Sequence, residues 1–139
     1  VSTVFFGGGT PTLLPTDERF VAADDEASNE RMIRAQFAPL REGRVGFLSF
    51  HDHGSDIEAA AAALASDLAS LPPLDLVVSG MGSDGHIASL FPGEEARFEA
   101  LPDSGISIAT PPGLPPRLSL SPKRLAGAGW ASLLVSGAQ

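Results

Sequence analysis

An apolar run, Leu74-Asp75-Leu76-Val77-Val78-Ser79, leads straight into Gly80-Met81-Gly82-Ser83-Asp84-Gly85-His86-Ile87-Ala88-Ser89-Leu90-Phe91-Pro92-Gly93. The run has the length and β-branched content of a buried strand. The chain therefore leaves a strand into a glycine-rich turn that carries one acid and one histidine. Open α/β sheets bind ligands at such breaks, beyond the carboxyl ends of strands. Glycines there let the backbone approach a ligand closely. Asp84 supplies a carboxylate. His86 supplies the side chain whose unperturbed titration falls near neutral pH.

The rest of the chain reads as strands alternating with helices. Val1 to Phe6 is apolar and β-prone and runs into Gly7-Gly8-Gly9-Thr10-Pro11. Ser28 is a good N-cap for a helix from Asn29 to about Leu40, with Met32, Ile33, Phe37 and Leu40 on one face. Arg44 to Phe50 reads as a strand. Ser55 and Glu58 make a capping box opening an alanine-rich helix to about Leu71. Ile57, Ala60, Ala61, Leu64, Leu68 and Leu71 form its apolar stripe. Glu94 to Leu101 reads as a short helix, Leu118 to Leu120 as a strand, and Ser121-Pro122 as the start of another helix. Trp130 to Ser136 is a last strand. This alternation predicts an α/β domain built on a parallel sheet.

With 139 residues and 43% apolar content, the chain fits one domain with a real core. It has no apolar run of membrane-spanning length, so no membrane partner is expected. It has no cysteine, which excludes disulfides and thiolate chemistry and is compatible with a cytoplasmic setting. The net charge is −8 and the only lysine is Lys123. That balance argues against nucleic-acid binding, which needs clustered cations. It also means that an anionic ligand must be held by a few local cations and backbone amides.

The Gly80–Gly93 stretch resembles the lactonase signature of the glucosamine-6-phosphate isomerase/6-phosphogluconolactonase family. The deaminases of that family share Gly-x-Gly-x-Asp-Gly-His but continue Phe-Asn-Glu-Pro. Here Ser89-Leu90-Phe91-Pro92 follows, the lactonase form. The resemblance implies a three-layer αβα fold around a mostly parallel, Rossmann-like sheet. It implies hydrolysis of 6-phospho-D-glucono-1,5-lactone to 6-phospho-D-gluconate, in the oxidative pentose phosphate pathway, without a cofactor or metal. The expected partner is the sugar-phosphate lactone itself.

The resemblance also implies roles. His86 is expected to be the general base that takes a proton from the attacking water, a step suited to a pKa near working pH. Read from its residue type alone, it is sooner a buried histidine satisfying a turn; the glycine-rich context reverses that balance. Asp84 is expected to orient or polarise the imidazole, or to bind a sugar hydroxyl, or to serve only an Asx-turn. Gly7-Gly8-Gly9-Thr10-Pro11 resembles the family's phosphate loop, so Gly8, Gly9 and Thr10 are expected to bind phosphate through N–H groups at a strand-to-helix turn. Asp17-Glu18-Arg19 matches the family's Asp-Glu-Arg, with Arg19 facing the substrate. Asp17 aligns with an acid-base aspartate of the deaminases, a role not expected in a lactonase. Pro115-Pro116-Arg117-Leu118-Ser119-Leu120 resembles Pro-Pro-Arg-Ile-Thr-Leu, with Arg117 clamping the phosphate. His51-Asp52-His53 is read as a solvated loop and not as a metal site.

Only five residues separate Gly7–Pro11 from Asp17–Arg19, whereas a helix and a strand lie between these motifs in the family. We therefore expect segments absent after about Pro15 and at both ends of the chain, with a genuine internal deletion as the alternative. Two other functions remain open: an aldose–ketose isomerase/deaminase acting on an amino-sugar phosphate, and a non-catalytic sugar-phosphate-binding module.

Overall fold

The computed structural model describes the backbone of residues 3–6 and, in full, residues 11–38 and 45–137. The strands are β1 (Thr3–Phe6), β2 (Thr12–Pro15), β3 (Asp17–Arg19), β4 (Gly46–Phe47), β5 (Leu76–Gly80), β6 (Ile106–Ala109), β7 (Arg117–Leu120) and β8 (Trp130–Leu134). The helices are α1 (Asn29–Phe37), α2 (Ile57–Ala69), α3 (Glu95–Glu99) and α4 (Pro122–Ala126).

The strands form two sheets. The first has the order β4-β2-β1-β5-β8 and the second the order β3-β7-β6. In the first, β2 pairs parallel with β4, and β5 with β8. β1 pairs antiparallel with both β2 and β5, so it runs against the other four. The expected α/β class with parallel pairing is present, and β1 is the departure from it. The second sheet is antiparallel throughout. The sequence anticipated β7, as Leu118 to Leu120, but not its partners β3 and β6, which are three and four residues long and too short for a periodic signal.

The join at Pro15-Thr16, where a missing segment was expected, carries the chain from the first sheet to the second. Thr16 alone separates β2 from β3. It is fully buried, and its carbonyl accepts the Leu120 N–H at 2.9 Å.

Helix starts follow their caps. The Ser28 hydroxyl accepts the Arg31 N–H at 3.0 Å and opens α1. Ser121 does the same for Arg124 at 3.0 Å, with Pro122 at the first helical position. At α2 the expected Ser55–Glu58 capping box does not form. Asp56 is the N-cap instead, accepting the Ala59 N–H at 2.7 Å. Asp56 makes the same bond one residue later and adds a negative charge at the helix's positive end. The α2 stripe buries Ala60, Ala61, Leu64 and Leu68 against Leu14, Phe50, Leu74, Val77, Ile106, Leu118 and Leu120. Leu64 is wholly inaccessible, so Leu64→Ala costs about 2–5 kcal/mol in cavity and transfer terms. This shared core fixes the two sheets relative to each other. The loop leaving β5 then faces β3 and β7.

Candidate active site

The β5 strand ends at Gly80, and the chain folds back at once. The Gly82 N–H donates to the His86 carbonyl at 2.9 Å, and the Gly85 N–H to the Gly82 carbonyl at 3.0 Å. Gly85 has φ 88°, a conformation that disfavours residues with a Cβ. A Cβ at Gly82 would run into the His86 ring and the Asp84 carboxylate. The imidazole therefore occupies the space that a side chain at position 82 would need.

Asp84 Oδ1 meets His86 Nδ1 at 2.5 Å. The hydrogen bond from His86 is the main cause that holds the Asp84 carboxyl below its ordinary value. A carboxylate only accepts, so Nδ1 carries the proton and Nε2 is the basic nitrogen. Among the described residues, Nε2 has no hydrogen-bond partner. The Phe91 ring flanks the imidazole at 4.8 Å between centroids. The Arg117 guanidinium stands 5.9 Å from the same Phe91 ring.

Arg117 comes from β7 and Arg19 from β3. The two are Cα partners on the antiparallel ladder, so both side chains leave the same face. Arg19 is anchored: its Nη1 donates to the Ala27 carbonyl at 2.8 Å and to Asn29 Oδ1 at 2.9 Å. The Arg117 side chain makes no hydrogen bond or ion pair among the described residues, and its Nε is buried without a partner. A buried, unpartnered guanidinium nitrogen is costly unless something anionic completes it.

These groups share one cleft of about 250 Å³, lined by Asp17, Arg19, Asn29, Gly80, Met81, Gly82, His86, Ala88 and Arg117. The structure thus brings together His86, Arg19 and Arg117, with Asp84 behind the imidazole. Gly8, Gly9 and Thr10 lie outside the described residues. The elements on either side of residues 7–10 are two antiparallel strands, with Phe6 opposite Thr12, and not a strand and a helix as expected.

Sequence reasoning set Asp17 aside and gave Asn29 and Ser89 no role at the site. Asp17 is nearly buried, and its Oδ2 accepts the Ser89 hydroxyl at 2.6 Å. The signal for it was alternation: Asp17 and Arg19 are two apart on one strand, so they share a face. Ala88, between His86 and Ser89 in sequence, is the one non-glycine with positive φ, 54°, among the described residues. Such strain concentrates at functional sites.

Glu18, between Asp17 and Arg19, points the other way and is 2% exposed. Its carboxylate accepts the N–H groups of Arg19 and Asn29 at 2.8 Å each, together with the Glu30 N–H and the Ser28 hydroxyl. It ties the start of α1 to β3. Glu18, Glu30 and His51 place their ligating atoms within 4.8 Å of one another. Glu30 in turn accepts from Arg34, Ser49 and Phe50. Every carboxylate oxygen of the trio is already committed to protein donors, which fits a buried hydrogen-bond network better than a cation site. Of the His51-Asp52-His53 triplet, His51 belongs to this network and His53 turns to Asp67 at 3.6 Å. The triplet does not converge on one point.

Residues 11–139 match the family model for glucosamine-6-phosphate isomerases/6-phosphogluconolactonase. The matched span begins after Thr10. The chain is 36% identical over 131 residues to a 6-phosphogluconolactonase of Rhizobium meliloti (strain 1021), covering 91% of this chain and 56% of that protein. It is 38% identical over 126 residues to one from Mesorhizobium japonicum, covering 87% and 53%. The crystal structure of a 6-phosphogluconolactonase from Shewanella baltica OS155 superimposes with a TM-score of 0.78 at 33% identity, covering 91% of this chain and 56% of that one. The chain spans about half the length of the curated relatives it matches. On the strength of the matched span and these relatives, it belongs to the glucosamine-6-phosphate isomerase/6-phosphogluconolactonase family.

Proposed function

We propose that this chain carries the lactone-hydrolysing site of a 6-phosphogluconolactonase, acting on 6-phospho-D-glucono-1,5-lactone. The observation that carries the reading is the convergence of a carboxylate-oriented imidazole and an unpartnered arginine on one cleft. Arg117, with Arg19 beside it, receives the phosphate through charge-assisted hydrogen bonds. His86 Nε2 takes a proton from a water molecule as the water oxygen bonds to the lactone carbonyl carbon. The tetrahedral intermediate then expels the ring oxygen, which receives that proton from the imidazolium. The products are a free hydroxyl and a carboxylic acid that ionises. Asp84 keeps the proton on Nδ1 throughout and stabilises the transient imidazolium.

One observation favours a second reading. Asp17 lines the same cleft, and an extra acid near the histidine is what an amino-sugar phosphate isomerase would need. The assay therefore carries three arms: lactone hydrolysis corrected for spontaneous opening, deamination of glucosamine 6-phosphate, and binding of 6-phosphogluconate. Lactonase turnover that falls ~10²–10⁴-fold in His86→Ala, the usual worth of general-base catalysis, supports the proposal. Deamination without lactonase activity overturns it in favour of the isomerase. Binding without turnover leaves a sugar-phosphate-binding module.

A further inference from the structure

His86 stands on a loop of the first sheet and the arginine pair on the second. Their separation therefore depends on what ties the two sheets together at the cleft. Ser89 is that tie. It lies three residues after His86 and is wholly buried. Its hydroxyl donates to Asp17 Oδ2 at 2.6 Å, and its N–H donates to Ser119 Oγ at 3.3 Å. Asp17 and Ser119 are themselves Cα partners on the β3–β7 ladder, two residues along from the Arg19–Arg117 pair. One rung of that ladder seats Ser89. The other presents the cations.

The preceding residue shows that this seat is imposed. Ala88 sits at φ 54°, and the Leu90 N–H closes the turn onto the Ile87 carbonyl at 2.9 Å. An L-residue stays there only when its surroundings over-determine it. The two bonds made by Ser89 supply that determination.

We propose that Ser89 is a positioning residue. Seated on Asp17 and Ser119, it fixes the distance from the His86 imidazole to the Arg19–Arg117 pair. That distance selects sugar phosphates whose reactive carbonyl lies at the matching reach from the phosphate. The substrate half of this inference rests on the function proposed above; the tie itself does not.

The test uses the 139-residue chain with ¹³C-labelled histidine rings, the His86 signal being the one lost in His86→Gln. In Ser89→Ala, and in the near-isosteric but poorly donating Ser89→Cys, the His86 signal shifts or broadens. The His51 and His53 signals stay in place. Turnover falls ~10–100-fold, as expected for a base displaced by about an ångström, while KM changes little. An unmoved His86 signal in Ser89→Ala overturns the proposal. So does a concerted movement of all three histidine signals, which would mean general loosening. Ser119→Ala removes the acceptor for the Ser89 N–H together with the Ser119 hydroxyl's own bond to the Leu120 carbonyl, leaves the Ser89–Asp17 bond in place, and repeats the test if Ser89→Ala does not fold. A chain without lactonase activity whose His86 signal still responds overturns the lactonase reading and leaves the tie standing.

Discussion

Arg19 and Arg117 stand directly opposite each other across the β3–β7 ladder, yet only Arg19 is tied to the protein. Like charges in that position repel by a few tenths of a kcal/mol to about 1 kcal/mol. A chain of net charge −8 places two cations together at a cleft and, among the described residues, leaves one guanidinium without a hydrogen-bond or ion-pair partner. An anion bound between them relieves the repulsion and completes the buried Nε. That gain supports the phosphate-binding role proposed for Arg117.

The first prediction follows from that asymmetry. Arg117→Ala loses a charge-assisted contact worth about 1.5–3 kcal/mol. The expected result is a KM for the lactone raised roughly 10–150-fold, with kcat nearly unchanged if the clamp binds ground and transition states alike. Millimolar phosphate should raise the melting temperature of the parent chain and not that of Arg117→Ala. Equal phosphate stabilisation of both would remove Arg117 from the anion site.

A second prediction concerns Gly82. A Cβ there would collide with the His86 ring and with Asp84. Gly82→Ala should therefore push the imidazole off its carboxylate partner while leaving the core intact, since Gly82 lies in the turn beyond β5. Turnover should fall about as far as in His86→Ala, within ~10²–10⁴-fold, with a far smaller change in melting temperature than Leu64→Ala gives. A fully active Gly82→Ala would show that the ring does not need that seat.

How much of this was legible in the sequence depended on distance along the chain. Asp84 and His86 are two residues apart, so a local motif sufficed to pair them. The caps Ser28 and Ser121 were legible for the same reason. At α2 two adjacent capping residues competed, and sequence spacing picked Ser55 where the backbone uses Asp56. The second sheet was not legible. Of its strands only β7 was read, as Leu118 to Leu120; β3 and β6 are too short for a periodic signal, and the ladder joins Arg19 to Arg117 across most of the chain. Family resemblance named both arginines, but only the register shows that they are neighbours. Ser89 was read as part of a motif; its partners Asp17 and Ser119 come from other strands, and no local pattern points to them.

The third prediction concerns pH. The hydrogen bond from His86 holds the Asp84 carboxyl below its ordinary value of 3.8. A depressed carboxyl stabilises the folded chain above the unfolded-state value, and that contribution fades as pH falls through the lower, folded-state value. At neutral pH the full effect is present. Following the Asp84 side-chain carbon by NMR should give a midpoint below 3.8, and His86→Ala should return it towards 3.8. An unshifted midpoint in the parent chain would mean that the Asp84–His86 bond does not persist in solution.

The last prediction separates building the site from operating it. Glu18 does not line the cleft, yet it holds the N–H groups of Arg19, Asn29 and Glu30. Glu18→Gln keeps the shape of the side chain, but its amide nitrogen can only donate, so at least one of these N–H groups loses its acceptor. A buried unsatisfied donor costs about 1–3 kcal/mol. Unfolding by urea should show a loss of that size with an unchanged m-value. Because Arg19 and Asn29 both lean on this carboxylate, KM should rise while kcat per folded molecule holds. A loss of stability with KM unaltered would confine Glu18 to the α1 cap. A fall in kcat at constant KM would place it in the chemistry, where nothing in its geometry puts it.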